Sequence, residues 1–438
     1  MKTRHLLFGA IVFLSLMNYS LTKAQATGYV KQIITVNSGK FETSPPYADY
    51  VTVQSYNPQT MGAVNVFNTI YTQSAQSVVI FDKMAYVAAQ DSIVKYNLNT
   101  MQRVAAIADS GMSQMAIFNG KLIVSKQYPL VRYFVEVLDT SDLGKIDEIP
   151  GVSDQCGGIT MYNDTLYVAV NGGYLGTRGK IAVIDPATWT LVTEIDLGTG
   201  AVGISNLYNY QAEIISVNQT PSGVINSGSI SVYNPVNRNF TNILLPHYIT
   251  AGAGIKDSLL YLGIDNGIGS FNLNSLKIEK ATIIPSPAGS KYILSAIVDT
   301  LDNRIYSNIG DYSTAGYCLV TGLSGDSITS YETGISSQDI AIDYRSYPSG
   351  IASNPPETPT ISLFPNPVID ELHVVISDQP DIKAIMVSDI NGKSVMMQSP
   401  EGKSDRTFSV DCRNMPSGTY CLILGTSKGK LTRLFIKQ

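Results

Sequence analysis

The stretch Ile184-Asp185-Pro186-Ala187-Thr188 decides the fold of this chain. It lies between two runs rich in β-branched and apolar residues, Ile181–Ile184 and Leu191–Ile195, which have the composition of strands. Its proline presets φ for a type I turn, and its aspartate and threonine can hydrogen-bond to the local backbone. The stretch therefore predicts a tight turn that joins two antiparallel strands.

The same phrase recurs along the chain, with an apolar or aromatic residue, then Asn or Asp, then usually Pro or Leu. Further copies begin at Tyr56, Tyr96, Leu138, Tyr233 and Phe271, and a fainter one begins at Val320. The Asn or Asp positions of the six clear copies are separated by 40, 42, 46, 49 and 38 residues. A period in the forties with several strands per repeat is typical of a β-propeller, in which each repeat forms a four-stranded blade.

The two ends of the repeat region are complementary. The last repeat begins with Gln338–Asp343 and then lacks its other strands, whereas Tyr29–Phe67 supplies three strands without a first one. Pairing the two would close a ring of seven blades and remove exposed sheet edges. We therefore predict an all-β fold: a seven-bladed β-propeller over residues 27–345, with velcro closure by its N- and C-terminal strands.

The N-terminal residues predict a secretory signal peptide over residues 1–24. Basic residues precede the apolar run Leu6–Leu16, and Ala24-Gln25-Ala26 offers small residues for cleavage. The apolar run is too short to span a membrane. Charged residues make up only 15% of the chain, and the net charge is −5. Because the chain is acidic and has no basic run, it is not expected to bind nucleic acid.

The C-terminal part changes in composition. Prolines crowd residues 346–360, which predicts an extended linker, and short alternating strands follow over residues 361–438. Together with the turn signal Asn391-Gly392, these strands predict a small Ig-like β-sandwich. Of four cysteines, Cys412 and Cys421 flank a turn and could pair, although the sequence alone does not provide the geometry.

The tail closely resembles the C-terminal sorting domain of type IX secretion cargo. The resemblance covers the whole tail and several motifs in order, from Leu363-Phe364-Pro365-Asn366-Pro367 to Ile436-Lys437-Gln438. It implies export to the outer-membrane surface or medium, with the type IX translocon and sortase as partners. The residues that carry the sorting motif are Pro365, Asn366, Pro367, Asp389, Gly392, Gly418, Tyr420 and Lys437.

The ring resembles YncE-like and surface-layer β-propellers, including outer-membrane propellers that capture cobalamin. This resemblance rests on the turn phrase, the spacing and the closure. It identifies no ligand.

Few residues suit catalysis. His247 and His373 are the only histidines after the signal peptide and fall in different domains, which disfavours a Ser-His-Asp triad or a histidine metal cluster. Gly425–Gly429 fits G-x-S-x-G but lies between two tail strands, where a hairpin turn explains it. Asp154 and Asp339 could bind Ca²⁺ or act as acid and base, as in propeller lactonases, but capping of turns explains them more simply. No cofactor is expected.

The loops between the second and third strand of each blade emerge on one side of the ring, here called the loop face, together with the links between blades. These loops are long and rich in tyrosine and arginine, which favours an aromatic-walled binding site. An alternative is that tyrosine is simply common in this chain and covers loop backbone. The candidate ligand-binding residues are Tyr47, Tyr128, Arg132, Tyr174, Arg178, Asp265 and Tyr312.

The leading hypothesis is therefore an exported, non-enzymatic binding propeller with a small-molecule, glycan or protein ligand. A cobalamin-like compound and a glycan are both open possibilities. Two alternatives remain: a carboxylate- or Ca²⁺-dependent hydrolase or lactonase in the propeller channel, and an adhesive or structural surface protein.

Overall fold

The structure is a computed structural model that describes residues 28–42, 44–62, 64–225, 227–346, 361–376, 382–389, 394–398, 407–426 and 429–438. The predicted signal peptide and nearly all of the predicted linker lie outside these residues. The chain divides into two compact units, residues 1–347 and 348–438.

Twenty-eight strands form seven four-stranded antiparallel sheets in the first unit. In chain order they are β1 (Gly28–Asn37), β2 (Val51–Tyr56), β3 (Asn65–Ile70), β4 (Ala75–Phe81), β5 (Met84–Ala89), β6 (Ser92–Asn97), β7 (Gln102–Ala108), β8 (Met112–Phe118), β9 (Lys121–Lys126), β10 (Val135–Asp139), β11 (Lys145–Glu148), β12 (Cys156–Tyr162), β13 (Thr165–Val170), β14 (Lys180–Asp185), β15 (Thr190–Asp196), β16 (Ile204–Tyr210), β17 (Glu213–Asn218), β18 (Ser229–Tyr233), β19 (Phe240–Leu244), β20 (Ile249–Lys256), β21 (Leu259–Ile264), β22 (Gly267–Asn272), β23 (Lys277–Ile284), β24 (Tyr292–Asp299), β25 (Arg304–Gly310), β26 (Ala315–Gly322), β27 (Ser327–Ile335) and β28 (Ser337–Ser346). A single 3₁₀ turn, Thr199–Ala201, accompanies them in the described part of this unit.

Blade 1 has the strand order β28-β1-β2-β3, and blades 2 to 7 are consecutive groups of four strands from β4–β7 to β24–β27. The all-β propeller and its velcro closure are thus confirmed. β28 pairs with β1 from Gly28↔Ser346 to Asn37↔Ser337. Apolar residues from adjacent sheets form shared cores, such as the cluster that joins Val36 and Val53 of blade 1 to Val78 and Val87 of blade 2.

A buried polar network reinforces the closure. Asp343 accepts a hydrogen bond from Gln32 Nε2 at 2.9 Å and forms an ion pair with Arg345. Gln32 Nε2 also lies 3.2 Å from the carbonyl oxygen of Leu98, and Arg345 donates to Asn99 Oδ1 at 2.9 Å. The network therefore connects both closing strands to a turn of the neighbouring blade.

The recurring turn phrase forms the same local structure in each clear copy. The Asn or Asp side chain accepts a hydrogen bond from the backbone N–H two residues later, which is an Asx turn. The residue four positions after it has positive φ in every copy, and Gly325 holds the same place after Thr321 in the faint copy. These left-handed residues are Met61, Met101, Leu143, Trp189, Arg238 and Leu276.

Arg238 offers a test of this turn, because it is exposed and has φ 62°. A side chain in the left-handed region is strained, so Arg238→Gly should raise the free energy of unfolding by about 0.5–1 kcal/mol, net of the extra chain entropy of glycine. Arg238→Ala keeps the Cβ atom and is the matched control. Urea unfolding of the three proteins measures the effect, and equal stability of the glycine and alanine variants would contradict it.

Each of the seven innermost strands carries a β-bulge near its start, where the chain enters from the loop face. In every case one extra residue interrupts the pairing with the second strand. A bulge bends its strand and redirects side chains. The bulges lie at Gln76, Ser113–Gln114, Gly157–Gly158, Ser205, Thr250–Ala251, Leu294 and Gln338.

The second unit is a sandwich of two sheets with a shared core that includes Leu372, Val374, Val387, Leu422 and Phe435. One sheet has the strand order β29-β30-β33 and the other has the order β32-β31-β34-β35. Their strands are β29 (Ile361–Phe364), β30 (Glu371–Ile376), β31 (Ile382–Asp389), β32 (Ser394–Gln398), β33 (Thr407–Asp411), β34 (Gly418–Thr426) and β35 (Gly429–Lys437). The four cysteines of the chain, Cys412 and Cys421 included, are all free.

The predicted sorting motif joins the start of this unit to its end. Asn366 Oδ1 accepts a hydrogen bond from the backbone N–H of Ile436 at 2.9 Å, and Val368 forms a parallel bridge with Lys437. Tyr420 donates its hydroxyl to Pro416 O at 2.8 Å. Pro365 and Pro367 flank Asn366, and Asp389 and Gly418 end and begin strands, whereas Gly392 lies outside the described residues.

Candidate functional site

A central cavity of about 360 Å³ lies among the bulged starts of the innermost strands. Strands of six blades contribute to its wall, and the bulge residues Gln76, Gln114, Thr250, Leu294 and Gln338 are among its lining. The bulges therefore direct their side chains to the channel at the loop-face end, because the innermost strands begin there.

The lining of this cavity is polar but almost uncharged. Its carboxamides are Gln76, Gln114, Asn206, Gln219 and Gln338, and its hydroxyls are Ser77, Thr250 and Ser295. Asp339 is the one charged residue among the described residues that line it. Part of this capacity is used within the protein: Gln76 bonds to Ser74 and Gln90, and Gln338 bonds to Ser336. Since a carboxamide has two donor hydrogens and an acceptor oxygen, each one retains a donor or an acceptor, and the lining suits a neutral ligand that has hydrogen-bonding groups.

Asp339 connects two neighbouring blades. Its Oδ2 accepts a hydrogen bond from Val78 N on β4 at 2.9 Å, and its Oδ1 accepts one from Ile340 N at 2.9 Å. Burial raises the pKa of Asp339 from 3.8 to about 6, although these hydrogen bonds oppose the shift. Both carboxylate oxygens face N–H donors, which leaves them poorly disposed to bind a cation.

Asp339 should make stability depend on pH. Its folded pKa of about 6 exceeds the ordinary 3.8, so its contribution is most favourable below pH 3.8 and is lost as the pH rises through about 6. Asp339→Asn should remove this trend, and the stability difference between the two proteins should change by on the order of 1–3 kcal/mol from about pH 4 to pH 7. Urea unfolding across this range measures the difference. Parallel curves for the two proteins would contradict the assignment.

Asp154, the other candidate acid, is also engaged. Its Oδ2 accepts a hydrogen bond from Arg178 Nε at 3.0 Å, and its Oδ1 accepts one from Gln155 N at 2.9 Å. Within the described residues, no group of three or more His, Cys, Asp or Glu side chains is placed to hold a metal ion.

A second cavity of about 240 Å³, the side cavity, adjoins the central cavity and shares Gln114 and Gln219 with it. It is lined by the loop between β13 and β14, including Tyr174. Two glycines with φ of 72° and 82°, Gly172 and Gly173, fold this loop back, and Arg178 N donates to Asn171 O at 2.9 Å to close it. Tyr174 is left 92% exposed at the tip.

Four tyrosines from three regions of the ring converge on the loop face: Tyr174, Tyr248, Tyr292 and Tyr312, here called the tyrosine rim. Burial raises the pKa of Tyr312, and the phenols of Tyr174, Tyr292 and Tyr248 raise it further. These effects require that the hydroxyls of Tyr174, Tyr248 and Tyr292 lie within electrostatic reach of that of Tyr312. The rings of Tyr292 and Tyr312 are 6.4 Å apart.

Asp265 positions part of the rim. Its Oδ2 lies 2.7 Å from Nδ1 of His247, and its Oδ1 accepts a hydrogen bond from Tyr248 N at 3.0 Å. Partial burial opposes the ionised form, but these two contacts hold the pKa of Asp265 below its ordinary value. The carboxylate thus orients both the imidazole and the segment that carries Tyr248.

Of the other four candidate residues, three have local partners and the fourth is exposed. Tyr47 packs edge-on against Tyr50 with centroids 6.3 Å apart, and Arg132 lies 5.0 Å from the ring centre of Tyr133. Arg178 is paired with Asp154, and Tyr128 is 83% exposed. The structure therefore brings Tyr174, Asp265 and Tyr312 together on one rim. Their role in binding remains a prediction, as does that of the other four.

Sequence reasoning missed the carboxamides of the central cavity and two rim tyrosines, Tyr248 and Tyr292. The bulges were the available signal. Each one inserts one residue into a strand, so that a polar residue such as Gln76 or Gln338 interrupts the alternation of apolar and polar positions. Tyr248 lies in a link between blades and Tyr292 is the first residue of β24, and neither has a comparable signal.

Residues 362–438 match the family model of the secretion system C-terminal sorting domain. The chain therefore carries a type IX sorting domain, which directs it to the cell surface or the extracellular space. No curated protein matches the chain. No helix among the described residues is long and apolar enough to cross a membrane.

Solved structures with a similar fold share little sequence with this chain. A hypothetical selenium-binding protein from Sulfolobus tokodaii has a TM-score of 0.53 and 13% identity, covering 72% of this chain and 94% of that one. PorZ, a surface component of the type IX secretion system of Porphyromonas gingivalis, has a TM-score of 0.41 and 11% identity, covering 88% and 73%. The first likeness supports the fold alone. The resemblance to YncE-like propellers remains a prediction.

Proposed function

We propose that the propeller of this exported protein binds a neutral oligosaccharide in the central cavity, under the tyrosine rim, without acting on it chemically. The observation that carries the proposal is the convergence of five carboxamides and three hydroxyls on an almost uncharged cavity. Sugar hydroxyls both donate and accept hydrogen bonds, and carboxamides complement them in both senses.

The tyrosine rim supports the same ligand class. Tyrosine combines a flat apolar ring with a polar hydroxyl, so it can contact the C–H face of a sugar ring and still hydrogen-bond at its edge. Tyr312 and Tyr174 are 61% and 92% exposed, so their rings are accessible to a ligand that approaches from the loop face.

Two alternatives fit this site less well. A corrinoid is several times larger than the central cavity of about 360 Å³ and would have to lie above it. A hydrolase or lactonase would need a free carboxylate or a metal ion, but Asp154 and Asp339 are both engaged by N–H donors.

Binding can be tested with the secreted protein and a panel of cello-, xylo-, manno- and maltooligosaccharides, with hydroxocobalamin and mixed peptides alongside. At least one oligosaccharide should raise the melting temperature, and Tyr312→Ala should weaken its binding by about tenfold or more by calorimetry. Tyr71→Ala, which removes an exposed tyrosine that belongs neither to the tyrosine rim nor to the lining of either cavity, is the matched control. Stabilisation by hydroxocobalamin or peptides alone, or by no compound, would contradict the proposal.

A further inference from the structure

The wall of the central cavity is interrupted at one blade. Residues of six innermost strands line the cavity, and β12 of blade 4 is the strand that contributes none of the described lining residues. Its bulge consists of Gly157 and Gly158, whereas most other bulges present a larger side chain. The ring of side chains therefore has a gap at blade 4.

This gap is fixed by packing. A Cβ atom on Gly158 would lie 2.6 Å from Ser205 O and 2.7 Å from Leu207 N, both on the backbone of β16. A Cβ atom on Gly157 would meet Asn171 Nδ2 and Ser205 O at 3.0 Å. The close approach of blades 4 and 5 thus requires small residues where the central cavity would otherwise be walled.

The side cavity lies beyond this gap. Gly157 and Ser205 line it, and Gln114 and Gln219 belong to both cavities. Its lining repeats the chemistry of the central cavity, with Asn171, Gln127 and Ser222 beside the apolar surfaces of Tyr174, Leu175 and Pro221. The two cavities therefore lie side by side at Gln114 and Gln219 and have linings of similar character.

We infer that the ligand is a linear chain of at least three sugar rings. One end of the bound chain lies in the central cavity, and the chain continues past the gap at blade 4 into the side cavity. This inference rests on the proposed function. A cavity of about 150 Å³ admits benzene, and a sugar ring with its hydroxyl groups is only somewhat larger. Volumes of 360 and 240 Å³ therefore admit about two rings and one ring.

The inference predicts a dependence on chain length. Cello-, xylo-, manno- and maltooligosaccharides of one to six units are titrated by calorimetry into the protein. In the series that binds, affinity should rise by about tenfold or more from the disaccharide to the trisaccharide and then level off within one or two further units.

A blocking variant locates the third ring. Ser222 is exposed and lines the side cavity, so Ser222→Trp should lower the affinity for the trisaccharide to that for the disaccharide. Val224→Trp places the same bulk on the same loop outside both cavities and is the control. Melting temperatures without sugar show that both variants fold.

The outcomes separate the two proposals. If no oligosaccharide of any length binds, the proposed function is wrong, and the inference with it. If short sugars bind but affinity does not grow with length, or if Ser222→Trp weakens disaccharide and trisaccharide equally, the inference alone is overturned.

Discussion

Deleting residues 361–438 should abolish export and leave a folded propeller. The deleted segment contains the sorting domain at residues 362–438, and type IX secretion requires that signal. Ring closure uses β28 and β1, which both belong to the first unit of the chain. The truncated protein should therefore cross the inner membrane through its predicted signal peptide and then accumulate in the periplasm.

Cell fractionation of a type IX-competent host and a melting curve on the retained protein test the two halves of this prediction. The full-length chain is the control for both. Arrival of the truncated protein at the surface would refute the role of the tail. An unfolded periplasmic product would instead show that the propeller needs residues beyond 360.

Replacing Lys126 by methionine should destabilise the propeller strongly. Lys126 forms ion pairs with Asp109 and Glu136, and the three side chains are only 6%, 10% and 2% exposed. Removing the ammonium group would leave two buried carboxylates near each other, of which Glu136 keeps its ion pair with Lys145 and Asp109 keeps none. Breaking a buried ion pair in this way costs about 3–5 kcal/mol.

The loss should depend on pH. In the native protein burial opposes ionisation of Glu136, but Lys126 and Lys145 hold its pKa below the ordinary value. Glu136 therefore stabilises the fold above its unfolded pKa, and this contribution is lost as the pH falls. Without Lys126, the folded pKa of Glu136 should rise above the unfolded value, and that of Asp109, which burial already raises, should rise further. The variant would then bind protons on folding, so its deficit should shrink on acidification.

Lys121→Met is the matched control, because Lys121 is on the same strand and pairs with Asp139 while both side chains are about one-third exposed. An exposed pair contributes about 0–1 kcal/mol. Urea unfolding of both variants at about pH 5 and pH 8 gives the comparison. Equal losses for the two lysines, or a Lys126→Met deficit that grows on acidification, would contradict the account of the cluster.

The fold could be predicted from the sequence wherever the same turn motif recurs. The turn at Asp185 could be predicted because the Asx turn needs only an acceptor side chain and the residues beside it. The residue four positions later, such as Trp189, has positive φ, but its type differs among the copies. Its left-handed conformation could therefore not be predicted from the sequence. The closure could be predicted because the N-terminal repeat lacks its first strand and the C-terminal repeat supplies a single one.

The site was less predictable, because it depends on residues that are distant in sequence. Tyr174 and Tyr312 could be identified from their loops, but their approach to Tyr248 and Tyr292 follows from ring geometry. Gln76 and Gln338 reach the channel through bulges, and an extra residue in a strand leaves the local composition unchanged. The binding role of Arg178 stays a prediction: its guanidinium pairs with Asp154, and its side chain is still 55% exposed.

The pairing of β1 with β28 also fixes the order in which the chain can complete its fold. The first three strands come early in the chain, yet their sheet stays incomplete until Ser346 is available to pair with Gly28. Blades 2 to 7 use only neighbouring strands, so each can form as it emerges. Closing contacts across some 300 residues is slow, because the chain must lose much of its freedom before the contacts form. Closure is therefore the last step in the assembly of the ring.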